Sequence, residues 1–336
     1  MSFTHRRVAA ATLCALVLAT SVGPAFAAPF ALPQVEIPGS DLTNWVIVND
    51  GGTSTGAPFT GTCSLAPGLS IVDAGGPLDA NDAYDNAYNL YVNGAAFVAP
   101  PLVDFTGTTM TAGPVAMSGL NVTVQYYFSP LSAVARLLYT MQNPTDAPIA
   151  ATVQIPVNFG SDAGTVIETT SSGDVVVSTA DRWVVSSDGV PGDSVNLTVM
   201  AGPGAVAVPL SAVTRTVFTC SGAQGLGMTY NLNVPAFASQ SVMLFAGLEG
   251  VNANNNTVAS ATTAAALFDS NATLQADWLD GMNAGQLAQV VNWAFPAVVA
   301  AQPIPTLSEL AMVVLSAMMG AVAFLAIRRR RGSGTA

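Results

Sequence analysis

The chain has 336 residues and a formal net charge of −11, with no lysine among its nine basic residues. Its one histidine, His5, and six of its arginines lie at the two ends, so residues 28–303 hold three arginines (Arg136, Arg182, Arg215) against nineteen acidic residues, a net charge of −16. Such a body has no Ser-His-Asp or Cys-His nucleophile, no histidine zinc site, no P-loop and no lysine Schiff base; its charge repels nucleic acid and leaves cations and neutral glycans as compatible partners.

Residues 1–27 read as a secretory signal peptide. Arg6 and Arg7 form a basic start, 8–22 is apolar, and Ala25-Phe26-Ala27 supplies a small-x-small cleavage pattern. The predicted organisation is then a β-rich body over 28–250, a helical segment and linker over 251–303, a sorting motif, span and arginine cluster over 304–331, and a short end over 332–336. Cys14 falls in the signal peptide, which leaves Cys63 and Cys220 in the body. An even pair in an oxidising compartment predicts one disulfide, with two buried free thiols as the alternative.

The densest run of oxygen ligands is 79–89, where Asp79, Asn81, Asp82 and Asp85 stand at short intervals. A loop of this kind can supply several of the roughly six to eight oxygens that Ca2+ takes. It is not an EF-hand, since no glycine occupies its turn and no glutamate closes it; the other reading is an acidic turn leading into a strand. Tyr84, Tyr88 and Tyr91, with Trp45, form either an aromatic face for sugars or ordinary core.

The body is rich in Val, Thr, Ala, Gly, Asn and Ser, a composition of strands and turns. Period-two alternation predicts strands over 122–128, 133–141 and 151–159, with further strands over 89–92, 175–178, 183–186, 195–200, 214–220, 228–234 and 241–247. Pro144, in Gln142-Asn143-Pro144-Thr145-Asp146, predicts a hairpin between 133–141 and 151–159. In Asp181-Arg182-Trp183 the scarce arginine is expected to pair with a carboxylate and fix a strand end. Many short strands at this spacing predict a mainly β fold, an antiparallel β-sandwich that is either one large unit or two stacked ones. Beyond 250 the stretches 257–268, 272–281 and 284–295 predict two or three helices, the last capped by Asn283.

The tail joins three elements in order. Ile304, Pro305, Thr306 and Leu307 open it, and Pro305 keeps the residue before it out of helix. Residues 310–327 carry no charge over eighteen positions, roughly 27 Å as a helix and enough to cross the hydrocarbon of a bilayer. Arg328, Arg329, Arg330 and Arg331 follow and resist translocation, which places the motif on the outer side. This order resembles the IPTL-type C-terminal sorting signal of Gram-negative bacteria, with Leu310 and Ala311 where such tails usually carry an aromatic and a small residue. The resemblance implies processing by an exosortase, a membrane-embedded, cysteine-protease-like transpeptidase, and export to the surface or extracellular matrix.

The expectation is therefore an exported, mainly β protein with a few C-terminal helices and one C-terminal transmembrane helix. It is anchored at the inner membrane as a precursor and then delivered to the cell surface or the medium. Its expected partners are an exosortase, the membrane through that helix, and extracellular glycan, with no nucleic acid; Ca2+ is the candidate cofactor. A structural or adhesive role leads, and the residues leave catalysis open. A carbohydrate-binding module and a glycan-active enzyme with a carboxylate pair are the alternatives.

Overall fold

The computed structural model describes residues 28–31, 34–38, 44–50, 68–75, 83–161, 164–189, 194–218, 224–248 and 257–296. The strands are β1 (Ala28–Ala31), β2 (Gln34–Pro38), β3 (Asn44–Asp50), β4 (Gly68–Gly75), β5 (Asn86–Ala87), β6 (Tyr91–Val92), β7 (Ala95–Ala96), β8 (Leu102–Thr106) and β9 (Thr109–Met117). They continue with β10 (Leu120–Phe128), β11 (Val134–Gln142), β12 (Ile149–Asn158), β13 (Val166–Thr170), β14 (Trp183–Ser187), β15 (Asn196–Val199), β16 (Ala212–Thr214), β17 (Gly225–Val234) and β18 (Ser239–Leu248). Two short helices follow, α1 (Val258–Ala266) and α2 (Ala284–Gln289), with 3-10 turns at Leu267–Asp269 and Ala276–Leu279.

The fold is mainly β, built on two antiparallel sheets. One runs in the order β1-β8-β9-β10-β11-β18-β15-β14-β13, the other β16-β17-β12-β5-β4-β3-β2, with β6 attached to β12 and β7 to β6. The sheets share one core. Val122, Val124, Tyr126, Leu137, Tyr139, Val242 and Leu244 from the first meet Trp45, Ile71, Val153, Ile155, Met228 and Tyr230 from the second. Turn chemistry sets the register of the meander. Ser118 (φ 50°) and Gly119 (φ 82°) close the two-residue link between β9 and β10, a left-handed pair whose twist matches that of the flanking strands.

The first sheet has a second, outer layer. Val134 and Leu138 of β11, Trp183 and Val185 of β14, Leu197 of β15, and Met243 and Phe245 of β18 pack against Ala261, Ala265, Phe268, Trp278 and Trp293 from the C-terminal segment. β18 is thus buried on both faces and reads as a continuous apolar run, whereas β10, which the outer layer does not cover, keeps its alternation. Thr257 caps α1 and Asn283 caps α2, each in a reciprocal capping box. The 284–295 helix stops at Gln289 because the next residues bind the sheet instead of themselves.

The strand expected over 214–220 ends at Thr214 among the described residues, and of 272–281 only Ala276–Leu279 is helical, as a 3-10 turn. Two further expectations fail for identifiable physical reasons. Pro144 does not close a hairpin. β11 pairs with β10 and β18, and β12 with β17, β5 and β6, so 143–148 crosses between sheets. Buried Asn143 holds that crossing: its Nδ2 donates to the carbonyls of Ala147 (2.8 Å) and Val234 (3.0 Å), and its Oδ1 accepts from Thr145 N (2.8 Å). Residues 175–178 are not a strand either, and Val175 and Val176 are exposed. Side-chain carboxylates capture the backbone there. Asp174 Oδ1 accepts from Val176 N (2.9 Å), and Asp181 accepts from Ser172 N (3.1 Å) and Ser178 N (2.8 Å).

Asp181 is itself buried. Burial works against its ionisation, but hydrogen bonds from Ser178, Ser172 and Thr170 outweigh that and hold the carboxyl below its ordinary range. A depressed native pKa gives stability that is present at neutral pH and lost as pH falls through it. Asp181→Asn is therefore expected to cost about 1–3 kcal/mol at neutral pH, with the gap from wild type closing in strong acid. Melting curves of both proteins at pH 7 and in strong acid check this; a gap that stays constant refutes it.

Candidate functional site

The arginines of the described body are used internally. Arg136 on β11 is 1% exposed. It faces the outer layer, where Nη1 donates to the carbonyls of Trp278 (2.8 Å) and Asp280 (3.0 Å), and Nη2 to Gln125 Oε1 (3.3 Å). Its guanidinium lies 4.8 Å from the Tyr127 ring centre. Burial pulls its pKa down to about 10, against the favourable fields of Tyr127 and Asp280. Arg182 pairs with Asp269, and Trp183 Nε1 donates to the same carboxylate at 2.9 Å. This ties the start of β14 to the turn that follows α1, as expected for the arginine of that triplet. Arg215 donates to the Gly225 carbonyl and stands over the Phe159 ring. Each of the three body arginines is committed to the fold, so the remaining surface charge is acidic.

The aromatic residues that could have formed a sugar face are core. Trp45, Tyr84, Tyr88 and Tyr91 are all buried. Tyr84 Oη donates to the carbonyls of Leu197 (3.1 Å) and Gly247 (3.2 Å), and Tyr88 Oη shares a hydrogen bond with Thr198 Oγ1 (3.0 Å). Tyr126 and Tyr139 both donate to the Tyr88 carbonyl. Burial pushes the phenols of Tyr84, Tyr88, Tyr126 and Tyr139 well above their ordinary range. They serve as hydrogen-bonding bolts between the sheets.

Of the residues expected to bind Ca2+, Asp85 is half-buried, while Asp79, Asn81 and Asp82 lie outside the described residues. Among the described residues no three acidic or cysteine side chains stand together as metal ligands. Cys63 and Cys220 also lie outside the described residues. The sorting motif Ile304, Pro305, Thr306 and Leu307, the apolar run and Arg328, Arg329, Arg330 and Arg331 lie outside as well. Among the described residues no helix is long and apolar enough to cross a membrane.

The distinctive built feature is the place where the body gives way to the tail. Residues 290–293 lie along the half of β18 that β15 leaves free. Val291 N donates to Ser241 O (2.9 Å) and Val208 N to Val291 O (2.9 Å), which threads the segment between β18 and the 201–208 loop. Asn292, fully buried, completes the lock. Its Oδ1 accepts from Met243 N (2.9 Å), and its Nδ2 donates to the carbonyls of Met200 (2.9 Å) and Met243 (2.8 Å). Trp293 Nε1 adds a bond to Met243 O (3.0 Å), and any side chain at Gly202 would collide with the Trp293 indole. Around this lock Phe268 stacks on Trp278 at 4.4 Å, with Phe245 and Trp293 edge-on to each other at 5.5 Å. Sequence reading missed Asn292. Its one signal is a lone amide inside the otherwise apolar Val290-Val291-Asn292-Trp293.

Just beyond the lock is a half-open apolar recess of ≈ 520 Å³. It is walled by Ala205 and Ala207 on one side and by Ala284, Leu287 and Ala288 of α2 on the other, with Phe295 and Pro296 at its rim.

Residues 302–331 match the IPTL-CTERM motif. No curated protein is similar to the chain by sequence. Among solved structures the chain is similar to a protein provisionally named a kojibiose phosphorylase, from the human microbiome (7% identity, TM-score 0.38, 72% of this chain and 33% of that one). It is also similar to the heparan sulfate lyase HepC from Pedobacter heparinus (9% identity, TM-score 0.37, 67% and 37%). A third is a protein provisionally named an aldose 1-epimerase, from Klebsiella pneumoniae (10% identity, TM-score 0.36, 76% and 84%). The chain spans about a third of the length of the first two.

Proposed function

We propose that the protein is a structural component of the cell surface or extracellular matrix, exported through its N-terminal signal and sorted through its C-terminal one by an exosortase-type enzyme. The observation that carries this reading is the IPTL-CTERM motif at 302–331. The order of its parts has a physical logic. The arginines resist crossing the bilayer, so the apolar run cannot slide outward. The run is barely long enough to span, so it cannot slide far inward. Motif depth is thereby held constant relative to a membrane-embedded enzyme. The body supports the same reading, because it ends in a hydrogen-bonded lock close to the point where the tail begins. The acidic body suits a hydrated extracellular setting, where self-repulsion favours solubility.

Replacing Arg328, Arg329, Arg330 and Arg331 together by glutamine is expected to leave export intact and to impair sorting. Pro305→Ala is expected to leave an anchored, uncleaved precursor. Intact mass of the protein recovered from the surface or medium decides between the readings. A wild-type mass that still contains 310–331 makes the tail an ordinary anchor.

A further inference from the structure

The wall that α2 gives to the recess is unfinished. α2 buries none of its residues, yet its Ala284, Leu287 and Ala288 line the recess. Ala205, Ala207 and Trp293 line it as well. The lining is apolar and rich in alanine, which suits a narrow apolar strand.

The chain lines this recess at Pro296 and continues as Ala297-Val298-Val299-Ala300-Ala301, followed by Gln302 and Pro303 before the motif. These five residues are uncharged and apolar, with no Ser, Gly, Asn or Asp, unlike the polar composition of an ordinary solvated connection. Extended, they reach roughly 17 Å, enough to run the length of α2, about 9 Å. We propose that the recess is the seat of residues 297–301 of the same chain. Seated there, they finish the outer layer and leave only Gln302 and Pro303 between body and motif. The free tether to the first residue of the apolar run is then shorter by the five seated residues: about 30 Å at full extension instead of about 50 Å. An enzyme acting at Ile304–Leu307 would work directly against the body. The inference stands on the recess and the linker composition, and does not require the sorting reading.

Hydrogen–deuterium exchange of the full-length protein in detergent micelles tests it, read on peptides covering 297–302. The expected result is exchange at least roughly tenfold slower than for an unprotected backbone, independent of protein concentration. Ala288→Trp and Ala207→Trp fill the recess from opposite walls at exposed positions, and each is expected to restore fast exchange at 297–302 while leaving β18 protected. Fast exchange in the wild type overturns the proposal. Protection that survives both substitutions also overturns it, as does protection that rises with concentration (a second copy) or arises only in bilayers (lipid). Mass of the processed protein is read separately, so loss of sorting and loss of linker protection are distinguishable.

Discussion

Asn292→Ala is expected to cost roughly 3 kcal/mol, or about 6–12 °C in Tm. The amide is fully buried and makes three backbone hydrogen bonds across three separate segments. Two of the acceptors keep a second donor, since Tyr230 Oη reaches Met200 O and Trp293 Nε1 reaches Met243 O. The Met243 N–H keeps none among the contacts at this lock, and an unsatisfied buried donor accounts for most of the loss. Asn292→Asp separates this from a packing effect. A carboxylate there would face two carbonyl oxygens in a dry site, so its native pKa would rise. A raised native pKa makes the variant progressively less stable as pH climbs above the ordinary carboxylate value. Equilibrium denaturation at pH 4 and pH 7 is the measurement. A loss below about 1 kcal/mol for the alanine variant, within the range of ordinary surface changes, would sink the idea of a lock.

Arg136→Met is expected to cost about 3 kcal/mol and to loosen 270–283 selectively. The substitution keeps much of the apolar stem but removes the charged fork that gathers the Trp278 and Asp280 carbonyls and the Gln125 amide oxygen. Lysine in its place cannot bridge the same acceptors, so Arg136→Lys should fall nearer to methionine than to wild type. The contacts are carbonyls and an aromatic face in a site sealed from solvent, so the loss should hardly change between low and high salt. Limited proteolysis within 270–283, together with the near-ultraviolet dichroism of the Phe268–Trp278 stack, reports the local event. A strongly salt-dependent loss, or cuts spread evenly over the body, would contradict this account.

Much of the architecture is legible in the residues. β10 and β12 alternate because one face of each meets the shared core and the other is at least partly open to water. Asn283 announces α2, and the scarcity of arginine singles out Arg182 before its partner Asp269 is known. The candidate tail is legible for a different reason: its signal is local, a peptide, an apolar run and four charges in sequence, and needs no folding to be read.

Other features depend on contacts that have no local signature. β3 and β4 carry no clear alternation, since pairing with each other rather than their own pattern holds them extended. The crossing at Pro144 looks like a hairpin because two strong strands flank a turn. Only the competition for partners sends them to different sheets, as β11 is satisfied by β10 and β18 and β12 by β17. The run 175–178 has strand-forming residues, yet two nearby carboxylates bind its amides first. The sequence by itself determined the β-rich composition, the acidic body stripped of histidine and lysine, and the sorting tail, because these are properties of residue type and order. Only the tertiary structure decided that the tyrosines are bolts rather than a sugar platform, that Arg136 holds the outer layer, and that Asn292 locks the last strand-like segment to β18. Each of these depends on which backbone carbonyls and amides a buried side chain meets, and residues 49 to 142 positions apart supply them.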